Sequence, residues 1–198
     1  AYAGLPDRFY RNRGDGTFED ATAAAGFGED DGKGLGALAL DVEGDGDLDL
    51  FVANDNNGNR MWLNRGDGAF EDGTLVSATG VDGYGRTEAS MGLACGDVDG
   101  DLLPDIFLTG FDDESDTLYA NQGGGRFRDV TAQVGLEAAT RLPVGFGTAL
   151  ADLDHDGDLD LAIANGHIID NIQLYHDGKT RAQRPLAFSN DGSGHFRE

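Results

Sequence analysis

The sequence is short of most things that small folds lean on. Its 198 residues include one cysteine, four prolines, two methionines and one tryptophan, and 14 Lys and Arg stand against 37 Asp and Glu. With Cys95 alone, no intramolecular disulfide can form, and its place between Ala94 and Gly96 reads as a small core position. A net charge of −23 and a pI near 4.1 leave no basic footprint for nucleic acid. No apolar run approaches the ~20 residues that cross a bilayer, so no membrane span is expected. The first residues carry no basic n-region followed by an apolar h-region, so no signal peptide is expected either. Leu, Ile, Val and Phe together make up about 23% of the chain, close to the roughly 20% below which a highly charged chain stays disordered. What is abundant is acid and glycine, the latter at 32 residues.

A repeat accounts for both. Asp41-Val-Glu-Gly-Asp-Gly-Asp-Leu-Asp-Leu50, Asp97-Val-Asp-Gly-Asp-Leu-Leu-Pro-Asp-Ile106 and Asp152-Leu-Asp-His-Asp-Gly-Asp-Leu-Asp-Leu161 align without gaps, about 55 residues apart. Each follows a strand of small residues with glycine five positions before its first acid (Gly36, Gly92, Gly147), and each precedes an apolar run. A second signature, Asn-x-Gly-x-Gly-x-Phe, recurs out of phase at Asn12–Phe18, Asn64–Phe70, Asn121–Phe127 and Asn190–Phe196. It reads as a hairpin, because its glycines supply the positive φ such turns need. One unit is therefore four short strands, Gly36–Leu40, Leu48–Ala53, Arg60–Asn64 and Ala69–Asp72 in the first complete copy, and Asp129–Leu136 reads as a helical turn between units. Four antiparallel strands at this period predict an all-β, β-propeller-like array of about three and a half repeats. The expected segments are a half-blade at 1–20, repeats at 21–72, 73–129 and 130–198, and an insertion at 165–185 in the last. Trp62 and Tyr119, equivalent on the third strand, are expected to pack between blades.

The acidic loop carries chemistry. Acids at positions 1, 3, 5 and 9 repel one another unless a cation sits among them. Calcium is hard, takes 6–8 oxygens and tolerates flexible geometry; magnesium insists on an octahedron, and zinc asks for His or Cys. The predicted ligands are Asp41, Glu43, Asp45 and Asp49 with the Asp47 carbonyl; Asp97, Asp99, Asp101 and Asp105 with the Leu103 carbonyl; and Asp152, Asp154, Asp156 and Asp160 with the Asp158 carbonyl. That is about three Ca2+ ions. The middle loop, with Leu102 in place of the position-6 glycine and Pro104 before its last acid, is expected to be the least regular and the weakest.

Asp-x-Asp-x-Asp-Gly-x-x-Asp loops behind Gly- and Ala-rich strands resemble the FG-GAP/VCBS repeats of integrin-α-type propellers over essentially the whole chain. Asn121-Gln-Gly-Gly-Gly-Arg-Phe-Arg-Asp-Val-Thr-Ala132 and Ala164-Asn-Gly-His167, with the insertion up to Pro185, are most similar to the cartilage acidic protein-like group, whose members often carry an ASPIC/UnbV domain. The resemblance implies an extracellular, calcium-stabilised propeller, usually of seven blades, that serves adhesion, matrix or self-assembly rather than catalysis. The alternative is a segment of a secreted propeller enzyme or carbohydrate-binding protein. Three and a half blades do not close an ordinary ring, so the unmatched half-blade offers strand edges for a head-to-tail contact between copies, ring or filament. A protein or glycan surface is the other expected partner.

Other polar residues read as structural. His167 has no Ser or Cys nucleophile motif beside it, and His155 is expected to be exposed. The acids and amides of Asp55–Asn59 and Asp112–Asp116 read as polar loops on the opposite rim. Arg13-Gly14-Asp15 and Arg65-Gly66-Asp67 spell an integrin-recognition tripeptide, but both fall inside the turn that the fold itself demands.

Overall fold

A computed structural model of the chain describes residues 3–28 and 32–198; residues 1, 2 and 29–31, inside the expected 1–20 and 21–72 segments, lie outside the described residues. The expectation of an all-β array of four-stranded antiparallel blades is borne out. A two-stranded sheet, β1 (Tyr10–Asn12) with β2 (Phe18–Asp20), is followed by three four-stranded sheets. Blade 1 holds β3 (Gly34–Leu40), β4 (Asp49–Asn54), β5 (Arg60–Asn64) and β6 (Phe70–Asp72). Blade 2 holds β7 (Leu93–Gly96), β8 (Asp105–Leu108), β9 (Thr117–Asn121) and β10 (Phe127–Asp129). Blade 3 holds β11 (Gly145–Ala151), β12 (Asp160–Asn165), β13 (Leu186–Asn190) and β14 (Phe196–Arg197). Every pairing joins strands consecutive in sequence, so each blade is a simple meander. Short helices, α1 (Thr74–Ser77) and α2 (Glu137–Thr140), lie between blades. The Asp129–Leu136 stretch forms turns, closed by Val134 N–H on the Val130 carbonyl, and the helix begins only at Glu137.

The blades stack face to face, and that is where the sparse apolar residues go. One cluster joins Val42, Phe51, Met61 and Leu63 of blade 1 to Ile106, Leu108, Tyr119 and Phe127 of blade 2. A second joins Val98, Phe107, Leu118 and Ala120 of blade 2 to Leu161, Ile163, Phe188 and Phe196 of blade 3. Phe9 and Phe27 pack on Trp62 and Phe70 in a third. A blade with neighbours on both sides buries both faces of its strands, which erases the period-2 alternation: β8 and β9 are buried at every residue. In β13 one face is open, and the alternation returns. Tyr119 and Trp62 are buried in these seams, as the inter-blade reading requires.

The recurrent inner-strand glycine is a matter of clearance. A Cβ on Gly36 would stand 2.9 Å from the Met91 carbonyl oxygen, and one on Gly92 1.7 Å from that of Phe146, so any side chain there would force the next blade away. Cys95 corrects the sequence reading: on β7, an edge strand of its blade, it is exposed, although its pairing with Ile106 puts it on the face of that buried residue.

Candidate metal centre

All three acidic loops join the first two strands of a blade, at the same end of the array. The position-1 carboxylate organises each loop by accepting backbone N–H groups that a tight turn leaves over. Asp41 Oδ1 accepts Gly44 and Asp45 N–H (2.7 and 3.1 Å) and Oδ2 accepts Gly46 N–H (2.8 Å). Asp97 does the same for Gly100, Asp101 and Leu102, and Asp152 for Asp156 and Gly157. The Gly46 N–H, with the other backbone donors, holds the Asp41 carboxyl below its ordinary range. Position 5 accepts the N–H of position 7: Asp45 from Asp47, Asp101 from Leu103, Asp156 from Asp158. The position-7 side chains lie over the hairpin glycine of their own blade, Asp47 at Gly66, Leu103 at Gly123 and Asp158 at Gly192.

Such a wrap needs positive φ at positions 4 and 6, and only loop 1 has glycine at both: Gly44 (77°) and Gly46 (93°). Loop 2 has Leu102 at φ 70°, and loop 3 has His155 at φ 65°. Sequence reading caught Leu102 but missed that exposed His155 occupies a second glycine position.

The acids at positions 1, 3 and 5 converge in two loops. Asp97, Asp99 and Asp101, and likewise Asp152, Asp154 and Asp156, each offer a carboxylate oxygen within 4.8 Å of the other two. Among the described residues, Asp41, Glu43 and Asp45 do not form such a group; Glu43 lies against Gly125 of blade 2, its Cγ 3.1 Å from where a Cβ would sit. The loop expected to be least regular is thus one of the two that converge. Burial, then the neighbouring acids, pushes the Glu43, Asp99 and Asp154 carboxyls upward. A set of hard, converging carboxylate oxygens with no nitrogen or sulfur fits a hard divalent cation.

Position 9 does something the sequence did not disclose. Its carboxylate is buried and bridges two elements: Asp49 accepts Val42 N–H (2.9 Å) and Asn64 N–H (2.8 Å), Asp105 accepts Val98 N–H (2.9 Å) and Asn121 N–H (2.8 Å), and Asp160 accepts Leu153 N–H and Asn190 N–H (both 2.9 Å). Each pins its loop to the start of the Asn-x-Gly hairpin. Burial raises the Asp49 carboxyl, and lifts that of Asp105 to about 6. None of the three belongs to the converging oxygen groups.

At the opposite rim the polar residues are built into the fold. Asn59 Oδ1 accepts Asn54 N–H and Asp116 Oδ1 accepts Gly110 N–H, all buried. His167 is buried, accepts Ile169 N–H on Nδ1 and sets Nε2 3.5 Å from Asp112, which Lys179 also meets at 2.6 Å. Burial works against the Lys179 charge, yet Asp112 and Asp113 hold its ammonium above the ordinary value, fastening the insertion to blade 2. In the two Arg-Gly-Asp turns, Asp15 accepts from Thr17, Asp67 accepts Ala69 N–H, and the arginines pair with Glu19 and Glu71. The turn itself uses every charged group of the tripeptide.

Against known proteins, the FG-GAP-like repeat matches three overlapping stretches, residues 4–52, 41–108 and 97–163. No curated protein matches the sequence. Among solved structures, one described as the basis of specific recognition of non-reducing terminal N-acetylglucosamine by an Agrocybe aegerita lectin is similar at 22% identity and a TM-score of 0.47, over 98% of this chain. The chain spans 46% of that protein's length. No helix among the described residues is long and apolar enough to cross a membrane.

Proposed function

The chain belongs to the FG-GAP-like repeat family, and from that premise we propose that it is a calcium-stabilised, extracellular structural module that offers a rigid surface to a protein or glycan, or to another copy of itself, without catalysing a reaction. The carrying observation is the convergence of Asp97, Asp99, Asp101 and of Asp152, Asp154, Asp156 at the hairpin ends. Calcium supplies there the positive charge and oxygen coordination that relieve the repulsion among these carboxylates, and locks the first hairpin of the blade. Asp41, Glu43 and Asp45 complete a third site once Glu43 turns from Gly125 toward its loop. Ligands at position 9 and the position-7 carbonyls would join each set, about three ions in all.

Extracellular modules bind calcium at about 10⁻⁴–10⁻³ M, far above cytosolic levels, which supports a location outside the cytosol. Ala164–His167 and the insertion that follows support the cartilage acidic protein-like grouping. The two outer faces of the array carry apolar residues that a neighbouring blade would cover, whether it belongs to a continuation of the same chain or to another copy. Phe18 is 61% exposed, whereas its counterparts Phe127 and Phe196 are buried against the preceding blade; Leu153 is 54% exposed, whereas Val42 and Val98 are buried under the following one. Thermal melts in calcium, magnesium and EDTA test the proposal. Each occupied site adds RT ln(1 + [Ca2+]/Kd), about 2.7 kcal/mol at a hundred-fold excess over Kd. Absence of a calcium-specific rise in Tm would falsify it.

A further inference from the structure

We propose that the cation loops of adjacent blades are coupled through Asn121 and Asn190, each a positioning residue for the loop of the blade before it; this rests on the cation reading above. The side-chain amide of Asn190 is filled on all sides. Oδ1 accepts Gly192 and Gly194 N–H (3.2 and 3.1 Å) in its own turn, while Nδ2 donates to the Leu159 carbonyl of its own blade (3.1 Å) and to the Val98 carbonyl of blade 2 (2.8 Å). Asn121 repeats this one blade earlier. Oδ1 accepts Gly123 N–H (2.9 Å), and Nδ2 donates to the Pro104 carbonyl (3.3 Å) and to the Val42 carbonyl of blade 1 (3.2 Å).

Val42 and Val98 are position 2 of their loops, between the acids at 1 and 3. Their N–H groups are held by Asp49 and Asp105, so each position-2 peptide is pinned from both sides. The bonds therefore form one continuous series. Asn190 N–H sits on Asp160, Asn190 Nδ2 on Val98, Val98 N–H on Asp105, Asp105 on Asn121 N–H, Asn121 Nδ2 on Val42, and Val42 N–H on Asp49, which also takes Asn64 N–H. The position-3 acid of loop 2 reinforces it: Asp99, in a converging group, packs on Gly194 in the next blade's hairpin. A cation that fixes positions 1 and 3 fixes position 2 between them, and so favours the seated neighbour; by linkage, the seated neighbour raises cation affinity by the same factor.

Asn64 is the built-in control. It keeps the own-blade bonds, Gly66 N–H to Oδ1 and Nδ2 to the Leu48 carbonyl, and makes no cross-blade bond among the described residues. Calcium titration calorimetry on the full chain compares wild type, Asn190→Ala and Asn64→Ala. Asn190→Ala removes four side-chain hydrogen bonds, of which the one to Val98 crosses the blades; loss of that buried neutral bond is expected to weaken at least one site about five-fold, with Asn64→Ala, which loses own-blade bonds alone, within two-fold of wild type. Equal changes in both variants, or a lowered Tm of Asn190→Ala with unchanged calcium affinity, overturn the coupling. Absence of any calcium heat in wild type removes the cation reading instead. Should Asn190→Ala fail to fold, amide hydrogen exchange of Asp152→Asn in calcium decides. Faster exchange is expected at Asn190 and Val98 although loop 2 keeps all its acids, and acceleration confined to residues 152–160 overturns the proposal.

Discussion

Asp105 separates two roles that a sequence assigns to a single residue. If it were a cation ligand and nothing more, Asp105→Asn would cost what Asp101→Asn costs, since each removes one carboxylate from loop 2. The structure makes them unequal. Asp101 is exposed, and its Oδ1 takes one N–H of its own loop. Asp105 has no exposure and accepts two N–H groups, from Val98 and Asn121, which are otherwise unpartnered. The isosteric amide keeps one oxygen and sets an NH2 against the other donor, orphaning a buried N–H at about 1–3 kcal/mol. On the proposed calcium reading, saturating calcium would offset the burial cost of the Asp105 charge, so this orphan decides the difference. Asp105→Asn is therefore expected to melt lower than Asp101→Asn by roughly 2–12 °C, at about 2–4 °C per kcal/mol for a chain of this length, as read by calorimetry at pH 7. Without calcium the sign of the charge term matters. Burial raises the Asp105 carboxyl from 3.8 to about 6, so wild-type stability from this group is full below pH ~4 and is lost as pH rises through 6. The neutral Asn does not share that loss, and in EDTA the gap between wild type and Asp105→Asn should narrow from pH 5 to 8. Equal melting of the two variants in calcium would refute the bridging role.

Leu102→Gly should raise stability by about 0.5–1 kcal/mol, because φ 70° strains any side chain and Leu102 is 88% exposed, with little packing to lose; an unchanged or lower midpoint in urea counts against the strain. Burial lifts the Glu88 carboxyl to about 8 even with Thr117 donating to it, and its folded value above the unfolded 4.5 means that stability falls as pH rises from about 4.5 to 8. In calcium, Glu88→Gln should flatten that fall in Tm, and parallel profiles would show that the burial is not felt. Light scattering in calcium should give an assembly larger than one chain that Phe18→Ser reduces; a wild-type monomer at all concentrations rules out the head-to-tail contact.

Periodicity carried the sequence reading as far as the blades. Two signatures repeating in fixed register located the strands of the first unit to within two residues, and the structure gives the recurrent inner-strand glycine its reason in the clearance to the next blade. Three things stayed hidden, each because it depends on a partner distant in sequence. Position 9 looked like one more ligand, since nothing local says that Val42 and Asn64 send their N–H groups to one carboxylate. The Asn of Asn-x-Gly looked like a turn residue, although its presence in all four copies, where Asp would also satisfy a turn, signalled a need for its NH2. Cys95 looked like core because small neighbours suggested packing, yet on the edge strand β7 it is exposed even though it shares the face of buried Ile106.

The acid content has a meaning apart from any cation. A blade whose connections are glycine-rich has many backbone N–H groups and few side chains to receive them. Carboxylates at positions 1 and 9 take up two or three each, spread over two oxygens, where an amide of the same size offers a single accepting oxygen. That solution concentrates like charge at one end of the array, where burial already disfavours it. The residues that satisfy the backbone are thus the ones that create the electrostatic cost, and a divalent cation offsets it without displacing a hydrogen bond, because an ionised carboxylate has about four acceptor sites and the bridging acids use two. In this fold the acidic groups that could hold a metal ion thus follow from how the loops satisfy their own backbone.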